Sequence, residues 1–223
     1  VASIWISLSV GLAATALSLP PALAVSWYLE RTRSPGRGLV HTLVLLPLVL
    51  PPVVVGYLLL KIFSPKGLAG RALEGIGLPV AFHWLGAVLS AGVVGFPLLV
   101  MLIGLALKGV DPRLETASRA LGRSPVETFW RVTLPLSWPG FLAGGALSFA
   151  RGLGEFGATI VLAGRIPGET ETIPLAIYAE LDAPGGEGRI VGLVLASIGI
   201  CLGAVLAARR LDAAFHRRLE LER

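Results

Sequence analysis

The chain has 223 residues, 54% of them hydrophobic and only 15% charged, against about 25% charged in an ordinary soluble domain. With a mean hydropathy of +0.78, this excludes a water-soluble globule and makes lipid the solvent for much of the surface. The net charge of +5 and pI near 10.0 do not mark a nucleic-acid binder, because the basic residues flank apolar blocks instead of forming one stripe.

Five stretches are long enough to cross a bilayer, which takes about 20 apolar residues. They are 1–28, 39–63, 80–107, 134–163 and 190–208. The sequence therefore predicts an all-α integral membrane protein, a single domain of five spans over 1–223, with no soluble domain and no internal repeat. The first stretch contains Ala22-Leu23-Ala24, similar to a signal-peptidase site. No basic residue precedes its apolar run, and the run is long for a signal core, so it reads as a retained helix kinked at Pro20-Pro21. Pro47, Pro51 and Pro52 interrupt the second stretch. Such breaks are tolerated where neighbours or a cavity satisfy the freed carbonyls, which makes this stretch a candidate for lining a pathway. Gly140 with Gly144 and Gly199 with Gly203 have the four-residue spacing that lets helices approach closely. The single Cys201 sits in an apolar run and cannot form an intrachain disulfide.

The arginines and lysines set the orientation. One side receives residues 30–38, 108–133 and the C-terminal tail, which hold 13 Lys and Arg residues; the other receives 64–79 and 164–189, which hold four. The first side is cytoplasmic, so the N-terminus lies outside and the C-terminus inside.

The cytoplasmic loop 111–135 reads as two short helices. Asp111 is an N-cap with Pro112 at the first helical position. Gly122 closes that helix in a left-handed conformation. Ser124 caps the next, with Pro125 at its first position and Glu127 completing a capping box. The second helix is expected to end near Leu134-Pro135. Leu114, Ala117 and Leu121 share one face of the first. By physical reasoning alone the loop is either an amphipathic connector on the membrane surface or a docking element.

In the fourth stretch, Arg151 and Glu155 are four apart and would share a face of a continuous helix. Each would cost about 2.5–3.5 kcal/mol unpaired near the bilayer centre. Gly152, Gly154 and Gly157 around them allow close backbone approach or a movable, weakly helical segment. Either Arg151 meets an anionic substrate, or the two residues pair and shape a gate. A carboxylate beside the path would repel an oxyanion, which favours the pair. No phosphate-binding glycine loop, metal-ligand cluster or nucleophile triad is visible, and His41, His83 and His216 are scattered, as interface or surface residues would be.

The pattern Glu115, Ala117, Gly122, nine residues, then Val132-x-Leu134-Pro135 resembles the EAA signature of prokaryotic ABC importer permeases. Thr116 stands where that signature often has Ala, and Val132 where it has Ile. The resemblance implies the type I importer fold. It makes Asp111, Glu115, Thr116, Ala117, Arg119, Gly122, Leu134 and Pro135 the residues that couple to an ATPase. Pro51, Pro52, Arg151 and Glu155 are then the pathway or gate candidates. The runs LLPLVLPPVVVGYLLL, ARGLGEFGAT, IPGETETIPLAIY and APGGE resemble the molybdate permeases of that family. Sulfate/thiosulfate permeases share the GEFGA-like element and much of the second stretch, but match IPGETETIP less well. The likeness implies an oxyanion pathway for molybdate, with tungstate or sulfate as alternatives, in the inner membrane of a prokaryote. It also implies two ATPase copies, a second permease copy and an extracytoplasmic binding protein as partners. No cofactor is expected on this chain, ATP and Mg belonging to the partner. An ion-driven secondary transporter would usually show internal repeats, and a passive scaffold would not need buried charges.

Overall fold

The computed structural model describes residues 1–181, 183 and 186–221, with the backbone alone for 216–221. Pro184 and Gly185 of the APGGE run, and the side chain of His216, lie outside the described residues. The described residues are helical without strands. In chain order they form α1 (Ala2–Arg31), α2 (Arg37–Val49), α3 (Pro52–Phe63), α4 (Leu68–Glu74), α5 (Trp84–Gly109), α6 (Pro112–Ala120) and α7 (Pro125–Thr128). A π-helical turn (Phe129–Thr133) leads into α8 (Leu134–Leu153), α9 (Gly157–Leu162), α10 (Ile173–Leu181) and α11 (Glu187–Leu221).

Helix α5 is the centre, with α1 and α8 packed on it. Lipid tails are as apolar as leucine, so closeness of approach holds these helices together more than apolarity does. The contact surfaces are accordingly small. A Cβ on Gly140 would collide with Ala106 and lie 2.7 Å from the Leu102 carbonyl oxygen. A Cβ on Gly144 would lie 3.5 Å from the Leu99 Cα, an ordinary contact. Ser26 of α1 donates to the Val100 carbonyl of α5 at 2.9 Å. Helix α1 stays continuous through Pro20 and Pro21. The other glycine pair behaves differently: nothing approaches within 4 Å of where Cβ atoms on Gly199 and Gly203 would stand. In the apolar stretch of α11 no residue is fully buried within this chain, although one side of it is half-buried against α8 and α10.

Three helices among the described residues are long and apolar enough to span: α1, α5 and the Glu187–Phe215 part of α11. The stretches 39–63 and 134–163, expected as single spans, are each divided. Leu50 and Pro51 are extended, and α2 and α3 meet at 114°. Pro51 and Pro52 have no N–H to give to the preceding turn, which favours a break there, and Pro52 opens α3 at its first position; the pair Pro20-Pro21, which α1 runs through, shows that two prolines alone do not force one. In the fourth stretch α8 stops at Leu153 and α9 begins at Gly157. Helix α5, which fills the third expected stretch, starts at Trp84 and not at residue 80, because Phe82 takes a left-handed φ of 59° while its N–H donates to the Leu162 carbonyl at 2.9 Å.

Candidate functional site

The loop between α5 and α8 is built by local capping. Asp111 Oδ1 accepts the Arg113 N–H at 2.9 Å, and Pro112 opens α6. The helix closes in a Schellman motif: the Gly122 N–H donates to the Arg119 carbonyl at 2.9 Å and the Arg123 N–H to the Ser118 carbonyl at 3.4 Å. Gly122 sits at φ +86°, where a side chain would be strained. The capping box is present in both directions, with Ser124 Oγ accepting the Glu127 N–H at 3.2 Å and Glu127 Oε2 accepting the Ser124 N–H at 3.0 Å. These bonds, first that from the Ser124 backbone, hold the Glu127 carboxyl below its ordinary pKa. Thr116 Oγ1 turns back onto the Pro112 carbonyl at 2.9 Å.

The expected stop at Leu134-Pro135 is absent. The chain continues from α7 through the π turn into α8, and the Leu134 N–H reaches the Phe129 carbonyl. Pro135 lacks a donor and crowds the carbonyl one turn back. The widened turn takes this up without ending the helix.

Glu115 faces inward. Its carboxylate accepts Arg31 Nη2 at 2.7 Å on Oε1 and Nη1 at 3.1 Å on Oε2, and Thr133 Oγ1 donates to Oε1 at 2.7 Å. Arg31 Nη2 also lies 3.4 Å from the Leu107 carbonyl, and its guanidinium stacks over Trp27. Trp27 in turn meets Phe129 edge-on at 5.0 Å between ring centres. A buried Ser118–Thr128 hydroxyl pair at 3.1 Å ties α6 to α7. The outward side is apolar and uncovered. Leu114, Ala117 and Leu121 are exposed, Leu121 at 83%, and Val126 and Trp130 extend the patch. Arg119 is exposed beside them, while Leu134 and Pro135 are half-buried at the start of α8. Sequence reasoning missed Arg31, Thr133, Ser118 and Thr128. Arg31 entered only as a topological charge.

The second candidate lies where the two divided stretches meet. Helix α3 packs along α9. A Cβ on Gly157 would lie 2.8 Å from Pro52 Cβ and 3.1 Å from the Val53 nitrogen, and one on Gly56 would lie 2.7 Å from the Ala158 carbonyl oxygen. Both breaks, 50–51 and 154–156, are therefore at one level. Glu155 is buried there although it lies beyond the end of α8, not on a continuous helix with Arg151. One oxygen accepts Arg151 Nη1 at 2.8 Å and the other the Ala158 N–H at 2.8 Å, so the same carboxylate pairs the arginine and caps α9. Arg151 keeps about a third of its side chain (33%) exposed. Phe156 in the break meets the Tyr178 ring of α10 at 5.2 Å. A separate cavity of about 660 Å3 between α1, α2, α4 and α5 is apolar apart from Ser18, and offers nothing to an oxyanion.

Beyond α9 the IPGETETIP segment folds on itself. Thr170 Oγ1 donates to the Gly164 carbonyl and accepts the Ile166 N–H, each at 2.9 Å, and Arg165 Nε pairs with Glu171 at 2.6 Å. Ser7 Oγ accepts the Ile173 N–H at 2.7 Å, which docks the segment on α1.

The family model described as binding-protein-dependent transport system inner membrane component matches residues 22–220. The chain is 47% identical over 205 residues to the molybdenum transport system permease protein ModB of Escherichia coli strain K12, covering 92% of this chain and 90% of that one. With ModB of Haemophilus influenzae it shares 46% over 220 residues, 98% and 96% of the two chains. A probable sulfate transport system permease protein, cysT of Chlorokybus atmophyticus, is more distant, at 35% over 179 residues, 80% of this chain and 63% of that protein. Among solved structures, inward-facing MetNI methionine ABC transporter aligns with a TM-score of 0.74 at 17% identity, over 96% of this chain and 94% of that chain. That last likeness is one of fold.

Proposed function

We propose, from the premise that this chain belongs to the binding-protein-dependent transport system inner membrane component family, that it is the permease subunit of an ATP-driven importer of molybdate. The pathway is formed by the membrane helices of two copies of this chain. Two ATPase subunits bind the cytoplasmic loops 111–135 and hold the ATP and Mg, and an extracytoplasmic protein delivers the anion. The complex sits in the inner membrane of a prokaryote, and alternating access follows from the ATPase cycle.

The observation that carries the substrate reading is the near-full-length likeness to molybdenum permeases, at 47% identity. The observation that supports ATPase docking is the build of the loop. Glu115 faces inward to Arg31 and Thr133, while Leu114, Ala117, Leu121 and Val126 form an exposed apolar patch among the exposed charges Arg113, Arg119 and Arg123. An amphipathic connector lying on lipid would not need Glu115 locked to both α1 and the π turn. Arg151 and Glu155 act as a paired element at the double break and shape a gate.

The test is reconstitution with the ATPase and the binding protein. Labelled molybdate is taken up on ATP addition, and sulfate competes poorly. Uptake of sulfate as fast as molybdate overturns the substrate assignment. Leu121→Asp, at an exposed site where the fold loses nothing, is expected to lower ATPase co-purification at least tenfold. Unchanged co-purification, with Gly122→Arg equally silent, overturns the docking assignment.

A further inference from the structure

We infer that Arg31 is a positioning residue of the importer, the latch through which α6 is held in fixed orientation to the ends of α1, α5 and α8. The inference rests on the docking role of the loop and adds a named residue outside it.

Four elements converge on one guanidinium–carboxylate pair. Arg31 is the last residue of α1. Its two terminal nitrogens meet the two oxygens of Glu115 on α6 at 2.7 and 3.1 Å. The nitrogen on the shorter contact also lies 3.4 Å from the Leu107 carbonyl in the last turn of α5. The Glu115 oxygen on that same contact takes the Thr133 hydroxyl at 2.7 Å, at the final residue of the π turn before α8. The side chains are mostly covered, 25% exposed for Arg31 and 12% for Glu115. Trp27 forms one wall and carries Phe129 of the π turn on its edge.

Two parallel bonds between planar groups fix an angle as well as a distance, which one bond from a lysine cannot do. Helix α6 has nine residues, and among the described residues its other side-chain hydrogen bond to a neighbouring element is the Ser118–Thr128 pair, which joins it to α7. Its outer face is open. A push on that face is therefore resisted chiefly at Glu115 and passes through Arg31 to α1 and α5, and through Thr133 to α8. Without the fork, α6 can tilt on its docked face while the spans stay where they are, and ATP is hydrolysed without transport.

The experiment uses the complete complex in proteoliposomes, with Arg31→Met, Arg31→Lys and Thr133→Val. Readouts are ATPase co-purification, ATP hydrolysis with and without loaded binding protein, and labelled molybdate taken up per ATP. The expected result for Arg31→Met is normal co-purification, retained hydrolysis and at least tenfold less uptake per ATP. Arg31→Lys keeps the charge and loses the fork, and recovers only part. Thr133→Val keeps both charges and loses two- to threefold. Should Arg31→Met fail to accumulate, the Lys and Val variants decide, since neither removes a charge. Uptake per ATP equal to wild type in both overturns the inference. So does a loss of co-purification in the Arg31 variants that matches the loss of uptake, which would place Arg31 in docking alone. Leu121→Asp in the same preparations separates the two levels. If it leaves ATPase binding intact, the docking reading itself falls; if it abolishes binding while the Arg31 variants couple normally, only the latch falls.

Discussion

Glu155 has two tasks, and two substitutions separate them. Glu155→Gln keeps an oxygen for the Ala158 N–H and removes the charge facing Arg151; Glu155→Ala removes both contacts, each 2.8 Å long. Breaking a fully buried pair costs about 3–5 kcal/mol. Arg151 is 33% exposed and recovers part of its solvation, so about 1–2 kcal/mol is the share expected here. The orphaned N–H at the start of α9 adds about 1 kcal/mol in the Ala variant alone. The expected order of thermal stability in detergent, read by size-exclusion after heating, is wild type, then Gln, then Ala, with Ala about 2–3 kcal/mol below wild type. Wild-type stability in both variants refutes the double role. Transport tests the gate separately. An ion pair present in only one of the two access states shifts their balance about tenfold for every 1.4 kcal/mol lost. Glu155→Gln is therefore expected to change the uptake rate several-fold at equal protein level, and undiminished, normally regulated uptake removes the gate.

A side chain at Gly140 must displace Ala106 and the Leu102 backbone of α5, so Gly140→Val is expected to cost about 1–3 kcal/mol of thermal stability; an unchanged melting profile contradicts the α5–α8 contact. The capping box at Ser124 is pH-dependent in a definite direction. The folded Glu127 carboxyl titrates below its ordinary value of 4.5, so its stabilisation is present above that value and is lost as pH falls through the lowered one. Protection of the Ser124 amide against hydrogen exchange, corrected for the intrinsic pH dependence of exchange, is expected to fall over that range in wild type. In Glu127→Gln the protection is pH-independent, and parallel profiles would refute the box. Gly154 adopts φ −86° and has only carbonyl oxygens at 3.9 Å around its absent Cβ. Gly154→Ala is thus sterically free and favours helix by about 1 kcal/mol; slower uptake at unchanged stability is expected if the break moves, and normal uptake argues that it is static.

What was legible in the sequence was local. Asp111, Gly122 and the Ser124–Glu127 box act over two to four positions, and residue type and spacing specify them. The interruption at Pro51-Pro52 was legible as a candidate, since a proline pair withholds two donors, though the same pair at Pro20-Pro21 leaves α1 continuous. The break at 154–156 was legible only as an alternative: the glycines allowed a weakly helical segment, but Arg151 and Glu155 at four positions fit a continuous helix equally well. The stop expected at Leu134-Pro135 failed for a related reason. A proline favours a helix end but does not compel one, as Pro20, Pro97 and Pro139 inside helices show, and the π turn that accommodates Pro135 leaves no mark in residue type. Arg31 and Glu115 are 84 positions apart. Nothing near either names the other, so an arginine at a span end counted only as topology.

The two candidate sites are joined by one helix. Thr133 ties the first turn of α8 to Glu115, and α8 runs unbroken from Leu134 to Leu153, where Gly154 ends it beside the Pro51 break. Its length of 20 residues is about 30 Å at 1.5 Å per residue, the thickness of a bilayer core. Beyond the break, α9 and α3 are in backbone contact through Gly157 and Gly56, so neither can slide without the other. On the near side α8 is held to α5 through Gly140 and Gly144, a tighter seam than a flexible lever would have. On the proposed docking role of α6, movement entering there would be carried by α5 and α8 as one block. The place where it can change direction is the level of residues 50–51 and 154–156, where both chains lose their helical hydrogen bonds together. Arg151 stands at that level as the last charge of α8 and Glu155 as the cap of α9, so their pairing bridges the moving block and the α3–α9 unit. On the proposed gate role, the partly exposed Arg151 and the buried Glu155 would have a mechanical reason to pair across the level where these two stretches are cut.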